Sequence, residues 1–264
     1  MATASLGGIS IHYEEAGSGD PVMLLTGLGG VGRAWGDLVA RFATEFHTIV
    51  PDHRGTGQSS QPHPADVAYT VEALAADMAG TLRQIGCGPT HLVGSSTGGA
   101  FAQVMALDHP DVVRSITLAS SWARADSHFR HQFAARKRVL QEAGPGAYTE
   151  TTALFLYSPE FVRNHYDEVR AWCDRSAGGT DPAIMAARID MIVAHDTMDR
   201  LGDISAPTLI VVGKSDVCTP PLLSKELADG IPGAQYVEMA GGHLIYKEQP
   251  EQFWSIVSGF LRSV

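Results

Sequence analysis

The stretch His91-Leu92-Val93-Gly94-Ser95-Ser96-Thr97-Gly98 decides how the rest of the chain is read. Its first half is an apolar strand, and the residues from Gly98 to Asp108 read as a helix stopped by His109-Pro110. Between them Gly94-Ser95-Ser96-Thr97-Gly98 fits G-x-S-x-G, a turn in which a strand reverses into a helix so sharply that only glycine avoids clashes beside the serine. Such a turn exposes the serine hydroxyl at the end of the strand. Glycine and serine are common, so the pattern carries little by itself; its place at a strand-to-helix junction gives it weight. Ser96 is the expected nucleophile.

Working outward, short runs rich in Val, Ile and Leu alternate with longer amphipathic stretches, the pattern of a mostly parallel sheet covered by helices. Upstream, Ile9 to Tyr13 reads as an edge strand, and Val22 to Leu25 reads as a buried strand ending in Thr26-Gly27-Leu28-Gly29-Gly30. Helices are expected near Trp35 to Phe42 and Val71 to Ile85, with a strand at Thr48 to Pro51 between them. Downstream come strands at Ile116 to Ala119, Pro207 to Gly213 and Gln235 to Met239, and helices near Leu222 to Asp229 and Pro250 to Arg262. From about Arg124 to Arg200 the strand rhythm lapses into helical, aromatic sequence. The expected organisation is one structural domain, an α/β core of residues 1–123 and 201–264 with a helical cap inserted over residues 124–200.

A serine hydroxyl is a poor nucleophile at neutral pH; it needs an imidazole to take its proton and a carboxylate to hold that imidazole's tautomer. Behind an elbow of this kind the acid follows a late strand and the histidine follows the last one. Asp216, in Gly213-Lys214-Ser215-Asp216, and His243, in Gly241-Gly242-His243, fill those two places. The blander reading of Asp216, a turn or helix-capping carboxylate before Thr-Pro-Pro, uses the same residues. The oxyanion formed in acyl transfer needs two backbone N–H donors, for which Thr97 and Leu28 are the candidates. Trp122, Phe129, Phe155, Tyr157, Trp172 and Met191 are candidate walls of a substrate pocket, although apolar core explains residues of these types as well. Arg124 and Arg130 are available to a substrate carboxylate, and solvent exposure explains them equally. Asp52 to Ser59 reads as a structural loop in which Arg54 pairs with Asp52 or a backbone carbonyl.

Composition excludes other classes. The formal net charge is −10, from 29 acidic and 19 basic residues, which opposes binding to nucleic acid. The basic run Arg136-Lys137-Arg138 reads as a solvated helix face. Cys87, Cys173 and Cys218 show no zinc or redox spacing, and His128 and His131 lack a carboxylate partner motif, so neither metal nor cofactor is expected. No secretory leader or apolar stretch of about 18 residues is seen, which makes a cytoplasmic protein without membrane contact the expectation. A small molecule is the expected partner, and a homodimer is compatible with the sequence.

The elbow, the acid and the histidine, in that order and at strand ends, resemble the α/β-hydrolase superfamily over nearly the whole chain. The segments Gly27-Leu28-Gly29-Gly30, Arg54-Gly55-Thr56-Gly57 and Leu154-Phe155-Leu156-Tyr157 look most like the aminoacrylate and carbamate hydrolases of pyrimidine breakdown and the 3-oxoadipate enol-lactonases. The resemblance implies small polar acyl substrates. Two departures matter. Aminoacrylate hydrolases lack the elbow serine that is present here, and many relatives have histidine where Thr26 stands, bracing the oxyanion loop. The reading is a serine hydrolase of a small carboxylic ester or lactone. The alternatives are an amide or carbamate hydrolase, a cofactor-free perhydrolase, suggested by Ser96-Thr97-Gly98-Gly99, and a slow-turnover ligand receptor.

Overall fold

A computed structural model describes residues 2–179 and 181–264. Eight strands form one sheet: β1 (Ala2–Leu6), β2 (Ile9–Ala16), β3 (Pro21–Leu25), β4 (His47–Pro51), β5 (Thr90–Ser95), β6 (Val113–Ala119), β7 (Thr208–Gly213) and β8 (Gln235–Met239). Their spatial order is β1-β2-β4-β3-β5-β6-β7-β8. The pairs from β4 through β8 are parallel, and β2 is antiparallel to both β1 and β4. The central strands β5 (THLVGS) and β7 (TLIVVG) are buried along their whole length, as continuous apolar runs covered on both faces must be.

The helices in chain order are α1 (Leu38–Phe42), α2 (Val71–Ile85), α3 (Thr97–Asp108), α4 (Ser127–Leu156), α5 (Pro159–Asn164), α6 (Tyr166–Ala177), α7 (Pro182–Ala194), α8 (Pro221–Gly230), α9 (Ile245–Glu248) and α10 (Pro250–Leu261). α2 is bounded as its sequence dictates, by the Thr70 hydroxyl accepting from Ala73 N–H at 3.1 Å and by Gly86 in the left-handed region. α3 is buried from Thr97 to Ala106, because it lies against β3, β5 and β6 on one side and α2 on the other. Gly144, with φ 82° and ψ 179°, breaks α4 just before Pro145.

Two local expectations are corrected. The edge of the sheet is β1, and the strand beginning at Ile9 is an interior neighbour that runs on to Ala16. Ala2 to Leu6 is small and weakly patterned, and the two-glycine turn Gly7-Gly8, both at positive φ, was the hairpin signal available. The stretch Trp35 to Phe42 is not one helix; a 3-10 turn over Gly32–Trp35 is separated from α1 by Gly36, at φ 58°.

Helices α4 to α7 lie between β6 and β7 in the chain. The two stems of this insertion are tied together by a bridge between Arg124 and Asp196, with Arg124 Nε 2.7 Å from Asp196 Oδ2. Thr197 N–H donates to Ala123 O at 2.9 Å and the Thr197 hydroxyl donates to Gln103 Oε1 at 2.7 Å, fastening the same stems to α3. Among the described residues, no helix is long and apolar enough to cross a membrane.

Candidate active site

The register of the sheet assembles the site. Leu25 of β3 pairs with Gly94 of β5, Ser95 of β5 with Ala119 of β6, Ala119 with Val211 of β7, and Gly213 of β7 with Met239 of β8. Five parallel strands thus end nearly level, and Leu28, Ser96, Asp216 and His243 each follow one of those ends. The chain order of the strands reverses between β3 and β5, the position at which open α/β sheets leave a crevice for ligands.

Ser96 has φ 53° and ψ −116°, a conformation that side chains rarely adopt. It is held there by its N–H on Ala119 O at 2.8 Å and by its C=O, which accepts from the Ser121 hydroxyl at 3.1 Å. The two elbow glycines are sterically required. A Cβ at Gly94 would lie 2.3 Å from Gly98 O, and one at Gly98 would lie 2.2 Å from Leu25 O. The turn places Ser96 at the N-terminus of α3, where unpaired N–H groups and the helix dipole favour negative charge.

The carboxylate of Asp216 faces both its own turn and His243. Oδ1 accepts from the N–H groups of Cys218 and Thr219, each at 2.8 Å, which is the turn role. Oδ2 accepts from His243 Nδ1 at 2.9 Å. Because a carboxylate only accepts, Nδ1 carries the hydrogen and Nε2 is left with its lone pair. Asp216 and His243 are almost fully buried, at 3% and 1% exposure. Ser96 Oγ and His243 Nε2 are not hydrogen-bonded to each other; such contacts are often long before a substrate arrives.

Thr219 is a residue that the sequence reading missed. Its Oγ1 lies 2.9 Å from Asp216 Oδ2, 3.1 Å from His243 Nδ1 and 2.9 Å from Ser120 O. Its single hydrogen can serve Ser120 O or Asp216 Oδ2, not both at once. Ser120, at φ 51°, is the other non-glycine residue at positive φ among the described residues, and its N–H donates to Val211 O at 2.8 Å. The Asp-x-x-Thr spacing was visible, but nothing in it marks the hydroxyl as facing the imidazole.

The N–H groups of Leu28 and Thr97 donate to no described residue. The Leu28 loop stands beside the serine, since a Cβ at Gly27 would be 3.9 Å from Ser96 Oγ. The Thr26 hydroxyl is 3.4 Å from His53 Nε2, so a histidine from the loop after β4 meets Thr26 in space. His53 is fully buried, and burial together with the Arg188 charge holds its pKa well below the usual imidazole range. Arg54 pairs with neither Asp52 nor one carbonyl alone. It forms a two-pronged ion pair with Asp77 of α2, at 2.7 and 2.6 Å, and a 3.3 Å bond to Ala68 O.

Of the candidate pocket walls, Trp122, Phe129 and Met191 are buried in one apolar cluster with Phe155 packed against it, and the Trp122 and Phe129 rings are 4.6 Å apart. Tyr157 and Trp172 belong to a separate cluster around Trp35, Leu244 and Tyr246. Met191 also lines a cavity of about 230 Å³ with Tyr69, Val71, Ala194 and His195. Arg124 is occupied by Asp196 and Asp199 near the surface, and the exposed Arg130 donates to Ala125 O. The buried arginines of the insertion are instead Arg136 and Arg188, at 2% and 0% exposure. Arg136 therefore departs from the solvated face read for its run; it stacks over Phe133 at 4.3 Å. Burial pushes the neighbouring Cys218 thiol up to about 12, so it is not a thiolate at neutral pH.

Comparison with known proteins agrees with this architecture. The family described as α/β hydrolase fold matches residues 20–250. A protein of Azorhizobium caulinodans, provisionally assigned as the carbamate hydrolase RutD, is 35% identical over 265 residues, covering 98% of each chain. Its provisionally assigned counterpart in Caulobacter vibrioides is 34% identical over 257 residues, covering 95% of each. Among solved structures, a thermophilic esterase from Thermogutta terrifontis with malate bound superposes with a TM-score of 0.88 at 29% identity, over 99% of this chain and 98% of that one. The enol-lactonase from Burkholderia xenovorans LB400 superposes with a TM-score of 0.90 at 25% identity, over 99% of this chain and 100% of that one. On fold, on the place of the site and on these relatives, the chain belongs to the α/β-hydrolase superfamily and is a hydrolase.

Proposed function

We propose that this hydrolase cleaves a small carboxylic ester or lactone through a covalent acyl-enzyme on Ser96. The observation that carries the reading is the buried His243–Asp216 pair, oriented with Nε2 free, at the strand ends beside a strained serine. His243 Nε2 takes the Ser96 proton as Oγ attacks the carbonyl, and the oxyanion is met by the N–H groups of Leu28 and Thr97. The imidazolium, stabilised by ionised Asp216, gives the proton to the leaving oxygen. Water, activated by the same imidazole, then releases the acid. Trp122, Phe129, Phe155 and Met191 are proposed to wall the acyl site. The esterase and enol-lactonase neighbours support a carbon–oxygen bond as the target.

A second reading, hydrolysis of a small carbamate or amide, is favoured by the RutD relatives. It uses the same residues with a nitrogen leaving group. Substitution of Ser96 separates a covalent route from a water-only one. Stopped-flow hydrolysis of a short-chain p-nitrophenyl ester, with an enol-lactone and a carbamate assayed alongside, is expected to show a burst that disappears in Ser96→Ala, with kcat/KM falling roughly 10⁴-fold or more. Activity in Ser96→Ala within tenfold of wild type would remove the serine mechanism, and preference for the carbamate would select the second reading.

A further inference from the structure

Arg188, on α7, is fully buried, and no carboxylate of the described residues forms an ion pair with it. A buried arginine is normally paired, because desolvating its charge is costly. Its three hydrogen-bond partners are all in the loops after β3 and β4. Nε donates to Leu28 O at 3.0 Å, Nη1 to Arg54 O at 2.9 Å, and Nη2 to His53 Nδ1 at 3.1 Å. A Cβ at Gly30, which has φ 71°, would lie 2.8 Å from Nη2. Asp181 lines the same water-sized cavity as Arg188, but it is exposed and its Oδ1 caps α7 through the N–H groups of Ala183 and Ile184. Burial lowers the guanidinium to about 10, which leaves it charged at neutral pH.

These contacts fix the direction of one amide. A peptide unit is planar, so its C=O and N–H point opposite ways. Gly30 N–H donates to Gly27 O at 3.0 Å, which fixes the plane that carries the Leu28 N–H. Arg188 Nε fixes the next plane through Leu28 O. The guanidinium can only donate, so His53 Nδ1 accepts and Nε2 carries the hydrogen towards Thr26 Oγ1. His53 N–H and the Thr56 hydroxyl hold Gly30 O, at 2.7 and 2.8 Å. The loop is therefore anchored at Thr26, Gly27, Leu28 and Gly30, and Arg188 reaches three of these four anchors, Leu28 directly and Thr26 and Gly30 through His53.

We infer that Arg188 is a positioning residue for the reaction, bracing through Leu28 O and His53 the loop whose Leu28 N–H faces the oxyanion, and placing an uncompensated positive charge behind it. The inference rests on the Ser96 acyl-enzyme reading. A charge in a desolvated, preformed site acts on the transition state, where the oxyanion exists, more than on the bound substrate. Removing Arg188 should therefore lower kcat and leave KM nearly unchanged. Arg188 sits on α7 with the buried Ile184, Ile189 and Ile192, and its targets lie 134 to 160 residues away in the chain.

The test compares wild type, Arg188→Met and Arg188→Lys on the ester that turns over, and measures inhibition by a trifluoromethyl ketone of matching shape, whose serine adduct carries the oxyanion. The expected result for Arg188→Met is a kcat lower by about 10²-fold, KM within threefold, and ketone affinity weakened in step with kcat. Arg188→Lys keeps the charge but cannot reach three acceptors, and should recover part of the loss. A folded Arg188→Met with kcat and ketone affinity within threefold of wild type would overturn the inference. So would a raised KM at unchanged kcat, which would put the guanidinium on the substrate. If Arg188→Met does not fold, the same criteria apply to Arg188→Lys. Ser96→Ala is run beside them: persistence of its burst removes the acyl-enzyme and this inference together, whereas its loss with unaltered Arg188 variants removes the inference alone.

Discussion

At the scale of single residues, the site is a set of side chains whose freedom has been taken away by neighbours. Asp216 spends one oxygen on its own turn and the other on His243, so the imidazole inherits the rigidity of the loop after β7. Thr219 adds a hydroxyl that joins this pair to Ser120 O, on the loop next to Ser96. The substitution Thr219→Val keeps the shape and removes about one net hydrogen bond, worth roughly 1 kcal/mol. The expected outcome is a five- to tenfold loss in kcat/KM that appears in kcat, with the protein still folded. Steady-state kinetics on the best ester check this, and a variant within twofold of wild type would show that Thr219 serves only the turn. Thr26 likewise gains its meaning from a neighbour. Where a histidine before the glycine would brace the loop within one segment, this chain brings His53 across from the loop after β4.

Between elements, the loop after β4 is the joint where the core, α2 and the inserted helices meet. Arg54 clamps Asp77 of α2 with two hydrogen bonds, and Arg54 O receives Arg188 of α7. The side chains of Arg54 and Asp77 are 12% and 6% exposed, so removing one partner strands the other's charge in the interior. Burial raises the Asp77 pKa and the Arg54 hydrogen bonds oppose that rise. Asp77→Asn is expected to lower stability by about 3 kcal/mol, and Arg54→Met with Asp77→Leu to restore much of it, because a well-packed apolar pair avoids the desolvation penalty. Urea unfolding at constant m reads both, and equal midpoints for Asp77→Asn and wild type would mean the pair is solvated. The helical character of the insertion was legible in the lapse of strand rhythm after Arg124. The break of α4 at Gly144 was marked by the adjacent Pro145. The interior position of β2 was not, because a strand's neighbours depend on pairing with distant segments.

For the whole molecule, buried neutral histidines contribute to the response to acid. Burial lowers His195 to about 4 and His91 to about 4, and holds His53 well below the usual range. For His195, Glu72 and Asp196 oppose this weakly. In the unfolded chain these groups take up a proton near pH 6.5, so between pH 6.5 and about 4 the unfolded state binds more protons and stability falls as pH falls. Above about pH 7 both states are neutral and this contribution is constant. His195 alone contributes on the order of 2–3 kcal/mol to the acid limb. Neither ring nitrogen has a partner among the described residues, so His195→Phe gives up no hydrogen bond to them, and the ring keeps its place against Trp122. Thermal melts from pH 8 to 4 should show the variant close to wild type at pH 7 and with a shallower fall below 6.5; an unchanged acid limb would mean that His195 is not the group being charged.

The sequence by itself determined the α/β class, the strand ends that carry Ser96, Asp216 and His243, and the glycines that the elbow at Ser96 requires. Those features follow from local sterics and from periodicities of two and 3.6 residues, which neighbouring positions express without reference to the rest of the chain. Only the tertiary structure decided which groups hold the site in place. Arg188 reaches Leu28 across 160 residues and His53 across 135, and Thr219 reaches Ser120 across 99. It also divided the aromatic residues, sending Trp122 and Phe129 to one cluster and Tyr157 and Trp172 to another. Burial and hydrogen-bond partnership are properties of the packed chain, and no local pattern encodes which distant segment will supply the partner.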